Sequence, residues 1–176
     1  MGAHVTEARA ASLAFRQATL DDVGAIVAIR SAAAQELGRR FGEGPWSREA
    51  SARAVSAGFR QSMLWLAFER DEPVGTLRLS TRKPWAIDRA FFTSVSRPLY
   101  LTDMAVHPAH QRRGVGRALL AEAERVTLAV PAQAIWLDAY DAAAGASGFY
   151  AACGFREVGR RAYRDVPLVY FERQLR

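Results

Sequence analysis

The stretch from Pro98 to Tyr140 limits the fold more than any other part of the chain. "PLYLTDMAV" reads as a strand and "GVGRALLAEAERVTL" as a helix with Val115, Leu119 and Val126 on one face. "AIWLDAY" reads as a second strand. Strand, helix and strand in one sheet predict a parallel pair with a right-handed crossover. The flanking segments add antiparallel pieces. "LAFRQAT" predicts an opening strand, and Thr19 caps a helix with Asp21 and Asp22 in its first turn and Val23, Ile26, Val27 and Leu37 along its apolar face. Ser47 is expected to cap a second helix ending near Gly58, after the break at "RRFGEGPW". "MLWLAFER" and "VGTLRLSTR" predict a hairpin turning at "DEP". A last helix is placed at about Ala142 to Ala152, followed by a hairpin of "FREVGRRAY" and "VPLVYFERQ". Residues 84–97 read as an aromatic-rich loop, a kind that is unusual unless it is covered or binds something.

Between the first strand and the helix lies "HPAHQRRGVGRALL", whose charges sit at the wrong end. A helix entrance carries partial positive charge and unpaired N–H groups, so its first turn favours Asp or Glu. Here Arg112, Arg113 and Arg117 crowd that end, with Gly114 and Gly116 among them. A bound diphosphate would make this arrangement favourable: glycines let an anion approach backbone N–H groups, and arginines supply forked donors. The plainer reading is a solvated basic turn before an ordinary helix. A dinucleotide-binding fingerprint with Gly114, Gly116 and Asp138 fits poorly, because Leu119 stands at the third glycine position and seven residues separate Val106 from Gly114.

The bulk numbers narrow the partners. The formal net charge is +6, and Lys83 is the only lysine, so the positive charge is carried by arginine. The basic residues are dispersed and not interleaved with aromatics, which favours a phosphorylated small molecule over nucleic acid. Cys153 is the only cysteine, which rules out an internal disulfide and is compatible with a reducing cytoplasm. No apolar run reaches the roughly 20 residues that span a bilayer, and the N-terminus shows no export signal. Neither membrane nor nucleic acid is expected as a partner, and no metal-ligand spacing is present. A homodimer remains open.

Gln111-Arg112-Arg113-Gly114-Val115-Gly116, reached through "DMAVHP", resembles the acyl-CoA signature of the GNAT superfamily of N-acetyltransferases, and "GFYAACGFREVG" is similar to that superfamily's helix-to-strand segment. The N-terminal residues 1–11 read as a disordered tail, and the resemblance implies that 12–176 form one domain of α/β (mixed α+β) fold. Its central sheet is mixed and mostly antiparallel, with six to seven strands flanked by four helices. It also implies acetyl-CoA as cosubstrate and transfer of an acetyl group to an amine, of a small molecule or a peptide. The alternative is a non-catalytic acyl-CoA sensor of the same fold. The implied cofactor contacts are Met104, Ala105 and Val106 as an edge for the pantetheine amides, with an N–H near Val106 for the thioester oxyanion. Gln111, Arg112, Arg113, Gly114, Val115, Gly116 and Arg117 follow at the diphosphate.

Tyr150 is the implied donor to the departing thiolate. Ser147, Ala146 and Ala143 are small, and on a continuous helix they would leave a groove beside the phenol. Ala143 stands where the superfamily often has Asn, so a side-chain hydrogen bond to the pantetheine arm is missing. Asp103 is the expected base, because an Asp amid strand residues that read as core is partly buried, and burial raises a carboxyl pKa. Asp138 and Asp141 are less attractive, near a strand end and a helix start where acids are routine. His107 and His110 read as solvated loop residues or as neighbours of phosphate, and Cys153 as packing. Trp46, Trp85, Phe91 and Phe92 hint at an apolar or aromatic acceptor, while Glu43 and Asp88 could hold a cation.

Overall fold

The structure, a computed structural model, describes residues 12–175, so the expected tail at 1–11 lies outside the described residues. Two tight hairpins organise the sheet. Strands β2 (Met63–Glu69) and β3 (Glu72–Ser80) turn at Arg70 and Asp71, with φ of 50° and 67°. Strands β6 (Arg156–Tyr163) and β7 (Val166–Gln174) turn at Arg164 and Asp165, with φ of 48° and 63°. Paired left-handed residues give the twist that two-residue hairpins need, and here the turns form without glycine. The first turn therefore sits at Arg70-Asp71, ahead of the expected "DEP".

With β1 (Leu13–Gln17), β4 (Pro98–Val106) and β5 (Ala134–Tyr140), the sheet has seven strands in the order β1-β2-β3-β4-β5-β7-β6. Every neighbouring pair is antiparallel except β4 and β5, the parallel pair expected from the sequence. The helices are α1 (Val23–Phe41), α2 (Ala52–Gly58), α3 (Val115–Val126) and α4 (Ser147–Ala152).

Local chemistry explains the helix ends. Asp22 accepts from the Thr19 N–H at 2.8 Å and from the two terminal guanidinium nitrogens of Arg16, which locks the entrance to α1. Gly42, at φ 78°, ends it. The cap of α2 is Ser51, which accepts from the Ala54 N–H at 3.2 Å. Ser47, expected there, instead closes a 3₁₀ turn on the Gly44 backbone. The final helix starts at Ser147, later than expected, because residues 141–146 are turns and bends.

Side-chain alternation along the strands produces a core on each face. On one face, Val115, Leu119, Leu120, Ala123 and Val126 of α3 pack on Leu77, Leu99, Ile135 and Leu137. The opposite face carries α1 and α2 over the N-terminal strands, where Ile26, Ile29 and Val55 meet Leu64 and Leu66. Over Tyr100 at the start of β4, and over β5 and β7, no helix among the described residues packs on that face. Ile87 and Phe92 of the aromatic segment cover Tyr100, Trp136 and Tyr170 instead. Phe92 stacks on Trp136 with centroids 4.5 Å apart, and the Tyr170 hydroxyl donates to the Ala86 carbonyl at 2.7 Å. Most of this segment is thus structural cover, which removes Phe91 and Phe92 from the acceptor walls. Asp88 is likewise occupied, by Arg161 and the Ala90 N–H. No helix among the described residues is long and apolar enough to cross a membrane.

Candidate active site

The parallel pair creates the site by coming apart. Strands β4 and β5 are hydrogen-bonded only from Pro98 to Tyr100 against Ala134 to Trp136. Beyond that, β4 continues along β3 and β5 along β7, so a cleft opens between them. The edge of β4 facing this cleft has backbone groups without a strand partner, the condition under which an extended ligand is added to a sheet. Met104 and Ala105 line the cleft, and the Val106 carbonyl accepts from the Gln111 side chain at 3.0 Å.

A bulge shapes that edge. Thr76 pairs with Ala105 and Arg78 with Thr102, so Asp103 and Met104 together oppose Leu77. Asp103 takes the strained conformation, with φ of 52°, and projects into the cleft. Its two oxygens are engaged by Arg30 at 2.8 Å and Arg78 at 3.2 Å.

At one end of β4 the chain passes through a 3₁₀ turn into α3. Arg112 and Gly114 are left-handed, with φ of 58° and 86°. Such alternation gathers successive backbone N–H groups into an anion-sized concavity. Gly114 is the N-cap of α3, with no side-chain cap and no acid in the first turn. A Cβ on Gly114 would meet nothing within 4 Å, so open space lies before it, whereas one on Gly116 would press on the Phe149 ring at 3.1 Å. Gly116 is therefore small for the contact with α4, and Val115 is buried, leaving only its backbone for a ligand. Of the three arginines, Arg113 is drawn aside to Glu69 at 3.1 Å. Arg112 and Arg117 have no ion pair among the described residues. His110 is not solvated: its Nδ1 lies 3.0 Å from Glu69. His107 accepts from the Ala109 N–H. The concavity, the helix entrance and the free guanidiniums fit a diphosphate.

Beside Met104 on the same edge stands Tyr150. It is buried, and its hydroxyl donates to the Met104 sulfur at 3.9 Å. Burial pushes the phenol well above its ordinary pKa, so it remains a proton-bearing donor throughout the neutral range. Ala144, Gly145 and Ala146 line the cleft beside it. Ala143 is exposed in the preceding turn and is not among the lining residues, because α4 begins too late to carry it. Cys153 is buried in the core, as expected for a packing residue.

The cleft has a volume of about 640 Å³. Its β5 wall holds Asp138, a carboxyl less attractive than Asp103 when read from its sequence position alone. Asp138 has no ion-pair partner among the described residues, and burial, with the nearby Asp103 charge adding to it, raises its pKa above the ordinary range. The sign of its position was available in the sequence, since Asp138 follows three apolar strand residues. Its isolation was not, because that depends on β4 moving away. The structure also adds Arg30 and Arg78, and Arg30 is four residues beyond the buried Ile26 on the inward stripe of α1. Trp46 and Trp85 line the cleft as expected, whereas Glu43 does not.

Comparison with known proteins accords with this geometry. The family model described as acetyltransferase (GNAT) family matches residues 31–155. Among solved structures, the fold is similar to yncA, a putative acetyltransferase of Salmonella typhimurium solved with acetyl-CoA (17% identity, 93% of this chain and 94% of that one, TM-score 0.68). It is also similar to the ribosomal-protein-S18-alanine N-acetyltransferase of Escherichia coli (17% identity, 92% of each chain, TM-score 0.67). A third likeness is to the GNAT domain of S. lividans PAT (21% identity, 92% and 89% coverage, TM-score 0.68). No curated protein sequence matches the chain. The family match spans most of the chain, including the splayed strands, the arginine-rich helix entrance and the buried tyrosine, and acetyl-CoA is the cosubstrate of this group. The chain belongs to the acetyltransferase (GNAT) family.

Proposed function

We propose that this protein transfers an acetyl group from acetyl-CoA directly to an amine held in the cleft. The observation that carries the proposal is the cleft itself: an unpaired strand edge that leads to an anion-sized concavity, with a buried phenol against Met104 and a carboxyl without an ion pair on the facing strand. Acetyl-CoA supplies the activated acyl group. The edge at Met104, Ala105 and Val106 would hold the pantetheine amides, and an N–H near Val106 would stabilise the developing oxyanion. Gln111 fixes that strand end, while Arg112, Gly114 and Arg117, with the backbone of Val115 and Gly116, would hold the diphosphate. Arg113 would join them on leaving Glu69.

An amine with a pKa near 10 is only about one part in a thousand neutral at pH 7, so it must lose a proton before attack. We assign the proton acceptor to Asp138 in preference to Asp103. The Asp103 oxygens are taken up by two guanidiniums. Asp138 faces the cleft without such a partner and has a raised pKa, which brings a carboxylate closer to the proton it must accept. Asp103 then anchors the two arginines. In the transfer Asp138 takes the ammonium proton and passes it to water, the freed amine nitrogen bonds to the acetyl carbon, the carbon–sulfur bond breaks, and the second N–H proton passes to Asp138. The leaving thiolate accepts a hydrogen bond from Tyr150. With its raised pKa, the Tyr150 phenol is a weaker acid than a thiol, so hydrogen-bond donation is favoured over full proton transfer. A lone cysteine suits a reducing, cytoplasmic setting.

Thiol release from acetyl-CoA over a panel of amines, followed across pH, tests these roles. Asp138→Asn should lower kcat/KM by about 10²–10⁴-fold and abolish the acidic limb of its pH profile. That limb should lie above the ordinary Asp value of about 3.9. Asp103→Asn should act on acceptor KM and leave the limb in place. Turnover within about twofold of wild type in both Asp138→Asn and Tyr150→Phe would remove the assigned roles.

A further inference from the structure

The acceptor half of the cleft has a charge balance that the transfer chemistry does not require. Four arginines reach it from four separate places: Arg30 on α1, Arg48 after the Pro45 turn, Arg78 on β3 and Arg164 in the β6–β7 turn. Among the described residues, the acids lining the same cleft are Asp103 and Asp138. Asp103 is shared between Arg30 and Arg78, and Arg48 and Arg164 have no ion pair among the described residues. Four guanidiniums against two carboxylates leave an excess of two formal positive charges, more when Asp138 carries its proton. Aromatic surface lies among them: Trp46 packs edge-on against Tyr140 at 5.9 Å, Arg164 lies over the Tyr163 ring at 5.4 Å, and Trp85 stands exposed at the mouth.

A substrate that is only a cation would enter this cleft against its field. Most amines are cations until they are deprotonated, so positive walls disfavour polyamines and other polycationic acceptors. An anionic group on the same molecule reverses the balance, and guanidiniums bind carboxylate and phosphonate oxygens in a fork. We propose that the acceptor is an amine that also carries an anionic group, a carboxylate or a phosphorus oxyanion, on an aromatic or apolar body. Arg48 and Arg164 bind the anionic group, the aromatic side chains flank the body, and the amine is left facing Asp138. This assignment rests on the acetyl-transfer reading and names the class of substrate for it.

The test uses matched acceptors with one skeleton: phenylalanine, 1-amino-2-phenylethylphosphonate, 2-phenylethylamine and, as a polycation, spermidine. Thiol release from acetyl-CoA should give kcat/KM at least about tenfold higher for one or both anionic members than for 2-phenylethylamine, with spermidine lowest. The better of the two anionic members identifies the oxyanion. Arg48→Glu/Arg164→Glu, which changes two exposed side chains, should invert the preference. A second arm is independent of turnover: Trp46 and Trp85 fluorescence reports binding of 3-phenylpropionate, which has no amine, to protein saturated with CoA. It should bind more tightly than 2-phenylethylamine. Equal kcat/KM for all four acceptors, or a preference unmoved by charge reversal, overturns the inference while leaving acetyl transfer intact. Tighter binding of 3-phenylpropionate without thiol release from any amine overturns the transfer reading and leaves the anion preference standing. Binding of neither probe overturns the inference.

Discussion

Replacing Gly114 by Ala separates the anion-binding role of the α3 entrance from its role in folding. Gly114 has φ of 86°, and an added Cβ would meet nothing within 4 Å. The folding penalty is therefore conformational, about 1–2 kcal/mol for a left-handed non-glycine residue. It is reduced by about 0.4–1 kcal/mol because alanine restricts the unfolded chain. A net loss of about 1 kcal/mol lowers Tm by about 2–4 °C in a chain of this size. The effect on ligand is larger. If a diphosphate closes on these N–H groups, the methyl occupies the space it needs, and losing one charge-assisted hydrogen bond of about 1.5–3 kcal/mol weakens CoA by about 10–150-fold.

Gly24 provides the matching control. It lies in α1, away from the cleft, and its Cβ would also meet nothing within 4 Å. Gly24→Ala should return about 0.5–1 kcal/mol through helix propensity alone. The double variant Gly24→Ala/Gly114→Ala should therefore melt close to wild type and still bind CoA weakly. Calorimetry with CoA, and with pantetheine, which has no diphosphate, reads the difference: the loss should appear for CoA and be small for pantetheine. Wild-type affinity for CoA in the double variant would refute the assignment of this loop to the diphosphate.

Other perturbations probe the supports of the site. Phe92→Ala should destabilise by about 3–5 kcal/mol in urea denaturation, because Phe92 is buried against Trp136. Trp85→Ala, at the exposed end of the same segment, should change stability by less than about 0.5 kcal/mol and act on acceptor KM. The buried Glu172 is pushed up in pKa by desolvation, but hydrogen bonds from the Thr93 hydroxyl and N–H and from Arg156 outweigh that and hold it below the usual value. Its folded pKa is depressed, so its stabilisation is complete above the ordinary Glu value of about 4.3 and is lost as pH falls through the folded value. Glu172→Gln should lose about 1.5–3 kcal/mol at pH 7 and show a shallower loss of stability in acid, measured by urea denaturation at both pH values. An equally steep loss in wild type and variant would exclude Glu172 as its source.

Much of the architecture could be read from the chain because it depends on neighbours in sequence. The periodicity of α3, the apolar runs of the strands, the Thr19–Asp22 entrance to α1 and the two hairpins are local, and each appears near its expected place. So does the arginine-rich turn: side chains that oppose the helix dipole can be recognised without a fold. Local signals were weaker where competing short-range options existed. Ser47 and Ser51 are both acceptable caps, and the side chain of Ser47 found the Gly44 backbone instead. The small residues at 142–146 were compatible with either helix or turns.

The chemistry of the cleft depended on contacts across the sheet. A carboxyl on a strand looks the same in sequence whether its neighbour strand is present or splayed away. Only the separation of β4 from β5 leaves Asp138 unpaired, and only the approach of α1 and β3 brings Arg30 and Arg78 onto Asp103. The aromatic segment 84–97 likewise looked like a ligand wall until the sheet showed a bare apolar face, which Ile87 and Phe92 cover, leaving Trp85 at the cleft. The strand–helix–strand unit and its cationic helix entrance were legible in the chain, since these arise from residues within a few turns of one another. Which charged groups remain free was set by folding, because pairing depends on side chains that are distant along the chain and adjacent only in the folded protein.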